Sequence, residues 1–328
     1  LVESGTLGVG QFFEFTMYVY QLAFPTFILG WTVSMLQRGA AAMQRIDEVL
    51  SIDPSIRDRD VDDVAELRGE IEFRGLTFSY DVPGHAADGR EAALRAIDLR
   101  VPAGTSLGVV GTVGSGKTTL ASLVPRLYEV PDGQLFLDGV DVNRIPVATL
   151  RRSIASVPQD SFLFSMTLAE NVAYGDPDAA RERVEEAARR AQLAKDVDEL
   201  PEGWETLVGE RGVMLSGGQR QRTALARALM LRPRILILDD TLSAVDAATE
   251  AAIQEGLAEV FRGRTVVVVA SRVSSVRGCD QIVVLHDGRI VERGTHEQLL
   301  ARGGLYARLA REQDEAEVAS DGAEVARA

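Results

Sequence analysis

The sequence holds a single cysteine, Cys279, in 328 residues, so an internal disulfide is excluded and the chain suits a reducing compartment. That thiol reads as a small buried residue rather than a reactive one. Positive charge is short as well: 35 Lys and Arg stand against 49 Asp and Glu, a formal net charge of -14. The chain therefore offers no electrostatic footprint for a phosphate backbone, and no nucleic-acid partner is expected. The first residues have neither an initiating methionine nor the charged region, short apolar core and cleavage site of a secretory leader. The expectation is a fragment whose N-terminal part is missing. Charge of either sign is absent from Phe15 to Gln37, roughly 23 positions, which as a helix is enough to cross the hydrocarbon layer of a bilayer. Arg38 and Arg45 follow, so the positive-inside bias puts the C-terminal end of such a span in the cytoplasm. Pro25 interrupts it, as membrane helices tolerate, while Tyr18, Tyr20 and Trp31 add aromatic mass. A buried core helix of a soluble domain is the competing reading. Ala41, Met43, Ile46, Val49 and Leu50 keep helical spacing beyond it.

The most informative stretch is GTVGSGKTT, Gly111 to Thr119, which follows an apolar run and precedes a helical one. This is the spacing of a phosphate-binding loop. Gly111, Gly114 and Gly116 have no Cβ, so the backbone can adopt positive φ and turn successive N–H groups toward phosphate oxygens. The helix behind presents its positive end to the same oxygens. Within this run Ser115 and Thr119 belong to the cradle. Lys117 supplies a compact charge for the β- and γ-phosphates, and the Thr118 hydroxyl is suited to ligate Mg²⁺.

The rest of the chain frames this loop. Ser51 to Gly69 is polar, broken by Pro54, and reads as a linker. Ile71 to Tyr80 alternates as a strand ending in Tyr80, an aromatic that either stacks on an adenine ring or closes a strand-end core. A polar loop, Asp81 to Arg90, follows. Leu94 to Pro102, Thr105 to Val110, Gln134 to Leu137, Ile154 to Val157, Thr265 to Ala270 and Gln281 to Leu285 read as strands, with Asp138-Gly139 and Asp287-Gly288 as hairpin turns. Helices are expected from Leu120 toward Pro125, over Val147 to Arg152, over Asp178 to Ala194, and after Leu215-Ser-Gly-Gly-Gln219. The apolar run Ile235 to Leu238 ends in Asp239 and Asp240, as suits a buried parallel strand whose tip carries chemistry. Asp239 there would hold Mg²⁺ opposite Thr118. From roughly Asp314 the chain turns acidic and alanine-rich, the composition of a disordered tail.

In chain order these are an aromatic, a P-loop, Gln159 after a strand, LSGGQ, an apolar run with two carboxylates, and SAVD at Ser243 to Asp246. This order resembles the nucleotide-binding domain of ABC transporters, over approximately Ile71 to Leu309. LSGGQRQR at Leu215 to Arg222 is close to diagnostic, and VGERG at Val208 to Gly212 resembles the loop that precedes it in exporters. QRGAAAMQRIDEVL, Gln37 to Leu50, looks like the end of the last transmembrane helix of an exporter half-subunit, most like one half of a heterodimeric bacterial multidrug exporter. The resemblance implies an α/β P-loop NTPase fold with a parallel-sheet core, an antiparallel β-subdomain and an α-helical subdomain. It divides the chain into membrane helix (1–50), linker (51–70), ATPase domain (71–313) and tail (314–328). It further implies ATP and Mg²⁺ as cofactors, with Thr118, Gln159 and Asp239 around the metal. Each ATP would lie between one domain's P-loop and the Ser216, Gly217, Gly218 and Gln219 of the other. The expected partner is a second half-transporter, a different chain, in a bacterial inner (plasma) membrane, and the transported substrate stays unassigned.

Two positions depart from the family pattern. Where glutamate usually orients the attacking water the chain has Asp240, one methylene shorter, which retracts the carboxylate by about 1.5 Å. Where the family's switch histidine stands, the chain reads Ala270-Ser271-Arg272, and serine lacks the reach and the titratable ring. With Gln159, Asp240 and Ser271 as the catalytic set, the expectation is a site that binds ATP and hydrolyses it slowly, while the intact LSGGQ completes a partner's competent site. A soluble ABC-type ATPase and an ATP-dependent regulatory or scaffold subunit stay open as alternatives.

Overall fold

Ile235, Leu236, Ile237 and Leu238 are all buried, and they divide by parity between two hydrophobic cores. Ile235 and Ile237 join one core, Leu236 and Leu238 the other, because side chains alternate across a strand and both faces of this sheet are covered. A computed structural model of the chain describes residues 8–80, 92–209, 215–241, 261, 263–313 and 315. Its contacts divide into two units, 1–55 and 56–328.

In the larger unit the strands are β1 (Ile71–Phe78), β2 (Leu94–Val101), β3 (Ser106–Gly111), β4 (Leu135–Leu137), β5 (Val140–Asp141), β6 (Ile154–Val157), β7 (Met166–Thr167), β8 (Leu207–Val208), β9 (Ile235–Asp239), β10 (Thr265–Val269), β11 (Gln281–His286) and β12 (Arg289–Gly294). Six form the central sheet in the order β12-β11-β3-β10-β9-β6. All its pairings are parallel except β11 with β12, which the Asp287-Gly288 turn joins as a hairpin. A four-stranded antiparallel sheet, β2-β1-β4-β5, covers one face together with the helix that follows the phosphate loop. Leu120 and Leu123 from that helix pack with Phe73, Ile97 and Leu135.

α2 (Lys117–Leu123) is that helix, and α3 (Val147–Ser153), whose Leu150 joins the same core, leads into β6. On the other face lie α4 (Leu168–Ala173), α5 (Arg181–Arg190), α6 (Ala194–Glu199), α7 (Gly217–Met230) and α8 (His296–Arg302). Leu168 and Val172 of α4, Val184 and Ala188 of α5 and Leu225 and Leu229 of α7 share one core with Leu236 and Leu238. The helix expected over 178–194 is shorter, 181–190, and a second, α6, starts only at Ala194. α5 stops in a Schellman-type turn, in which Gln192 N–H donates to Arg189 O (3.1 Å) and Leu193 N–H to Ala188 O (2.9 Å). Gln192 takes φ 56°, the left-handed conformation that glycine normally supplies, so no glycine announces the break.

β10 reads Thr-Val-Val-Val-Val, and its valines look alike to both cores. Thr265 is different: fully buried, it donates its hydroxyl to Gly69 O (2.7 Å) and accepts from Gly104 N–H (3.0 Å). Residues 56–70 are bound to the larger unit, since the Asp138 carboxylate accepts N–H bonds from Arg68, Gly69 and Glu70. Asp58 likewise accepts from Val147 N–H at the start of α3 (2.8 Å). In the smaller unit α1 (Val9–Leu50) is one helix of 42 residues with Pro25 inside and no buried side chain within its own unit. It is long and apolar enough to cross a membrane, with a mean hydropathy of 1.3 over its best window. The loop 81–90, the SAVD residues 243–246, the end of VGERG and nearly all of the tail fall outside the described residues.

Candidate nucleotide site

Parallel strands deliver their carboxyl ends to one edge of the sheet, and every candidate residue of the phosphate pocket follows such an end. β3 leads into Gly111–Thr119, β6 into Gln159, β9 into Asp239 and Asp240, and β10 into Ser271. The loop's glycines are sterically required. A Cβ on Gly111 would lie 2.1 Å from Leu285 O of β11, and one on Gly116, at φ 97°, would lie 2.7 Å from Ala93 O. Gly116 stands at the N-cap of α2 with no side-chain cap of its own, so the first N–H groups of that helix are left for an outside acceptor. Ser115 is buried, and its hydroxyl has no hydrogen-bond partner among the described residues.

Lys117 Nζ donates to Gly111 O (2.9 Å) and Thr112 O (3.0 Å), so the ammonium sits inside the loop it belongs to. Partial burial lowers its pKa from the ordinary lysine value, while the charges of Asp240 and Asp239 pull the other way. Thr118 Oγ1 donates to Asp239 Oδ1 at 3.2 Å. Asp239 is buried, and desolvation holds its carboxyl above the usual range. The Thr118 bond and Lys117 lower it, and the charge on Asp240 raises it further. A hydroxyl and a buried carboxylate oxygen at this separation suit a small hard cation, which would neutralise the charge that burial disfavours. Thus the residues present fit both groups: phosphate at the loop and Mg²⁺ between Thr118 and Asp239, where the ion would supply charge neutralisation for phosphate oxygens.

Asp240 is held from three sides. Its backbone N–H donates to Val269 O (2.8 Å), with φ at 48°. Ser271 N–H donates to Asp240 Oδ1 (3.4 Å) and Ser271 Oγ–H to Oδ2 (3.1 Å). Gln159 Nε2 also donates to Oδ2, at 3.4 Å. Gln159, Asp240 and Ser271, chosen from the sequence separately, therefore form one hydrogen-bonded group.

Tyr80 lies two residues beyond the end of β1. Its hydroxyl bonds Thr119 Oγ1 (2.7 Å), and its ring meets Phe78 and Tyr128 edge-on, each with centroids 5.1 Å apart. The residue as a whole is 36% exposed, and its polar end is tied to α2 beside the loop.

Ser216 to Gln219 are not joined to residues 111–119 by any hydrogen bond among the described residues. They start α7, where Ser216 Oγ accepts from Gln219 N–H (3.2 Å) and Gln219 Oε1 accepts from Ser216 N–H (3.0 Å), a capping box. Gly217 lines a cleft of about 320 Å³ shared with Gln159, Asp160 and Phe162.

Three residues were missed in the sequence reading. Asn171 is fully buried on α4: its Oδ1 accepts from Phe164 N–H (2.9 Å) and Arg227 Nη2 (2.8 Å), while its Nδ2 donates to Phe164 O (3.0 Å) and Thr167 O (3.1 Å). Arg227 of α7 also donates to Asn171 O (2.8 Å) and Phe162 O (2.9 Å). Burial lowers its pKa below the ordinary arginine value. The pair ties the segment after Gln159 to the helix that begins at Ser216. An arginine set among Ala224, Leu225, Ala228 and Leu229 was the available signal. The third residue is Gln313, whose contacts lie at Ser271.

Residues 94–243 match the protein family described as ABC transporter. Over 306 residues, 93% of this chain, the sequence is 42% identical to the probable multidrug resistance ABC transporter ATP-binding/permease protein YheI of Bacillus subtilis. It is likewise 42% identical over 310 residues to an ATP-dependent lipid A-core flippase of Chromobacterium violaceum. Among solved structures, a bacterial Atm1-family ABC exporter with ATP bound superposes with a TM-score of 0.80 at 35% identity, covering 90% of this chain and 51% of that one. The chain spans about half the length of the curated relatives it matches: 51% of YheI and 51% of the flippase.

Proposed function

We propose, on the premise that this chain carries an ABC transporter ATP-binding domain homologous to those of ABC exporter half-transporters, that it is the ATP-binding part of an exporter subunit. In this reading ATP binding and hydrolysis drive a substrate across a bacterial inner membrane. α1 is the last membrane helix, and the domain it precedes works on the cytoplasmic side. The observation that carries the reading is the similarity itself, which spans 93% of the chain and so takes in the phosphate loop together with at least part of α1.

Each residue then has a task. The N–H groups of Gly111 to Thr119 and the Lys117 ammonium bind the phosphates, and Tyr80, beside the loop, stacks on the adenine. Thr118, Asp239 and Gln159 hold Mg²⁺. Asp240 accepts a proton from, or orients, the attacking water. It does so from a retracted position, and Ser271 reaches no γ-phosphate, so this chain's own P-loop site is a slow one. Ser216, exposed, and the half-buried Gly217 to Gln219 stand at the N-terminus of a 14-residue helix, which suits closure on the nucleotide of a second, different half-transporter.

Ser216→Arg tests this arrangement. The bulk and charge of arginine block closure on a partner's nucleotide, so ATPase activity of the assembled transporter should fall to background while this chain still binds ATP. Activity near the unsubstituted level would remove the composite site from the reading.

A further inference from the structure

Beyond the end of α8 the chain runs through a further helical segment, residues 305–313, and its two ends are fixed to different parts of the fold. At the start, the Glu292 carboxylate of β12 accepts N–H bonds from Leu305 and Tyr306, serving as an N-terminal cap. Tyr306 is fully buried and its hydroxyl bonds His296 Nδ1 (2.9 Å), while Ala307 and Ala310 pack into the core. At the far end, Gln313 spans the turn that leaves β10. Its Nε2 donates to Ser271 O (2.9 Å), and its Oε1 accepts from Val273 N–H (2.7 Å).

We propose that Gln313 is a positioning residue for the nucleotide pocket, clamping the backbone of residues 271–273 so that Ser271 holds the Asp240 carboxylate in place. This rests on the reading of Asp239 and Asp240 as the edge of an ATP site. Three features support it. The amide's two bonds have opposite polarity and land two residues apart on one short turn, so only one orientation of the side chain satisfies both. Neither bond goes to the sheet: what the side chain fixes is the turn alone. And the atoms that turn presents are the ones that grip Asp240, since Ser271 N–H and Oγ–H engage opposite oxygens of its carboxylate. Val273 is buried in the core and its carbonyl accepts from Val276 N–H (3.1 Å), so the turn is anchored at its far end, while Ser271, which grips Asp240, is itself exposed. A chain of bonds therefore leads from Gln313 through Ser271 and Asp240 to Gln159, linking a C-terminal helix to the pocket.

The test uses the assembled transporter, with the partner chain's carboxylate at the position equivalent to Asp240 replaced by its amide, so that turnover reports this chain's site. Single-turnover ATP cleavage and the half-saturating ATP concentration are measured for Gln313→Ala, Gln313→Glu, Ser271→Ala and the Ser271→Ala/Gln313→Ala pair. Gln313→Ala should slow cleavage about five- to tenfold, the range for a modest misplacement of a reacting group, with half-saturation within about twofold of the parent. Gln313→Glu keeps the acceptor for Val273 N–H and loses the donor, so it should fall between. The pair should be no slower than Ser271→Ala alone, because Gln313 acts through Ser271. Hydrogen exchange in the nucleotide-free full chain gives a second reading: Gln313→Ala should accelerate exchange at Val273 while leaving β10 and residues 305–310 unchanged. Multiplicative losses in the pair, cleavage unaltered by Gln313→Ala, or unchanged exchange at Val273 would each overturn the proposal. Failure of the unsubstituted chain to bind ATP would instead overturn the site reading beneath it.

Discussion

Replacing Asp240 with glutamate and Ser271 with histidine together should speed hydrolysis at this chain's site by tenfold or more. Asp240 Oδ2 now lies 3.1 Å from Ser271 Oγ and 3.4 Å from Gln159 Nε2, drawn back against the turn after β10. Glutamate advances the carboxylate by about 1.5 Å, one carbon–carbon bond. A misplacement of about 1 Å at a reacting centre costs on the order of 100-fold, so the advance is of a size that matters. Either change alone should give little: glutamate alone loses the Ser271 bonds that steady it, and histidine alone leaves the carboxylate retracted. Groups that act on one water are expected to be non-additive in this way. Tenfold corresponds to about 1.4 kcal/mol of barrier. Stability should move in the opposite direction. Asp240 sits at φ 48°, a region aspartate tolerates better than glutamate, so the substitution costs up to about 1 kcal/mol and lowers Tm by a few degrees. Phosphate release with the partner's site silenced, together with Tm, reads both quantities. A double variant no faster than its parent would refute the reasoning, as would rapid turnover in the unsubstituted site.

Lys117→Ala removes a charge-assisted contact worth about 1.5–3 kcal/mol, so ATP affinity measured by calorimetry should fall by roughly ten- to a hundredfold, and unchanged affinity would discard the phosphate loop. Asp239 has its carboxyl raised by burial, so its contribution to stability is full below the unfolded value near 3.9 and is lost as pH rises through the higher folded value. At neutral pH the buried charge is therefore a cost: without nucleotide and Mg²⁺, Asp239→Asn should raise Tm, by less as the pH is lowered, while ATP turnover drops to background. A lower Tm at neutral pH would contradict this. Asn171→Ala orphans the buried Phe164 N–H and removes an acceptor from Arg227, together about 3 kcal/mol, which is roughly 6–12 °C in Tm by thermal unfolding. A loss under about 2 °C would show that water replaces the amide.

The parts of this fold that could be read from sequence are those where the chemistry leaves few choices. β9 and β10 announce themselves as continuous apolar runs because both faces of the sheet are covered. The phosphate loop is legible because a Cβ at Gly111 would enter the β11 backbone, so its glycines carry geometric information. Tyr80 was ambiguous for a reason the structure makes plain: its hydroxyl is anchored on Thr119 and its ring leans on Tyr128, a partner 48 positions away that no local pattern connects. The break between α5 and α6 was hidden because Gln192 adopts a glycine-like conformation. Asn171, Arg227 and Gln313 escaped notice for a different reason. Each acts by bonding to distant backbone, and the receiving groups, carbonyls and amides, are the same whatever the residue, so the sequence does not mark them.

A strand of near-identical residues is like an unmarked rod. β10 has nothing in its four valines to say how far along the sheet it should sit, yet the placement of Ser271 depends on it, because a slip of one residue would carry that side chain about 3.3 Å past Asp240 and turn it to the opposite side. The single graduation is at the far end. The Thr265 hydroxyl, six residues before Ser271 and sealed from water, gauges the strand against Gly69 and Gly104. The accuracy of the pocket is thus set at the opposite edge of the sheet, by an atom that never meets the nucleotide.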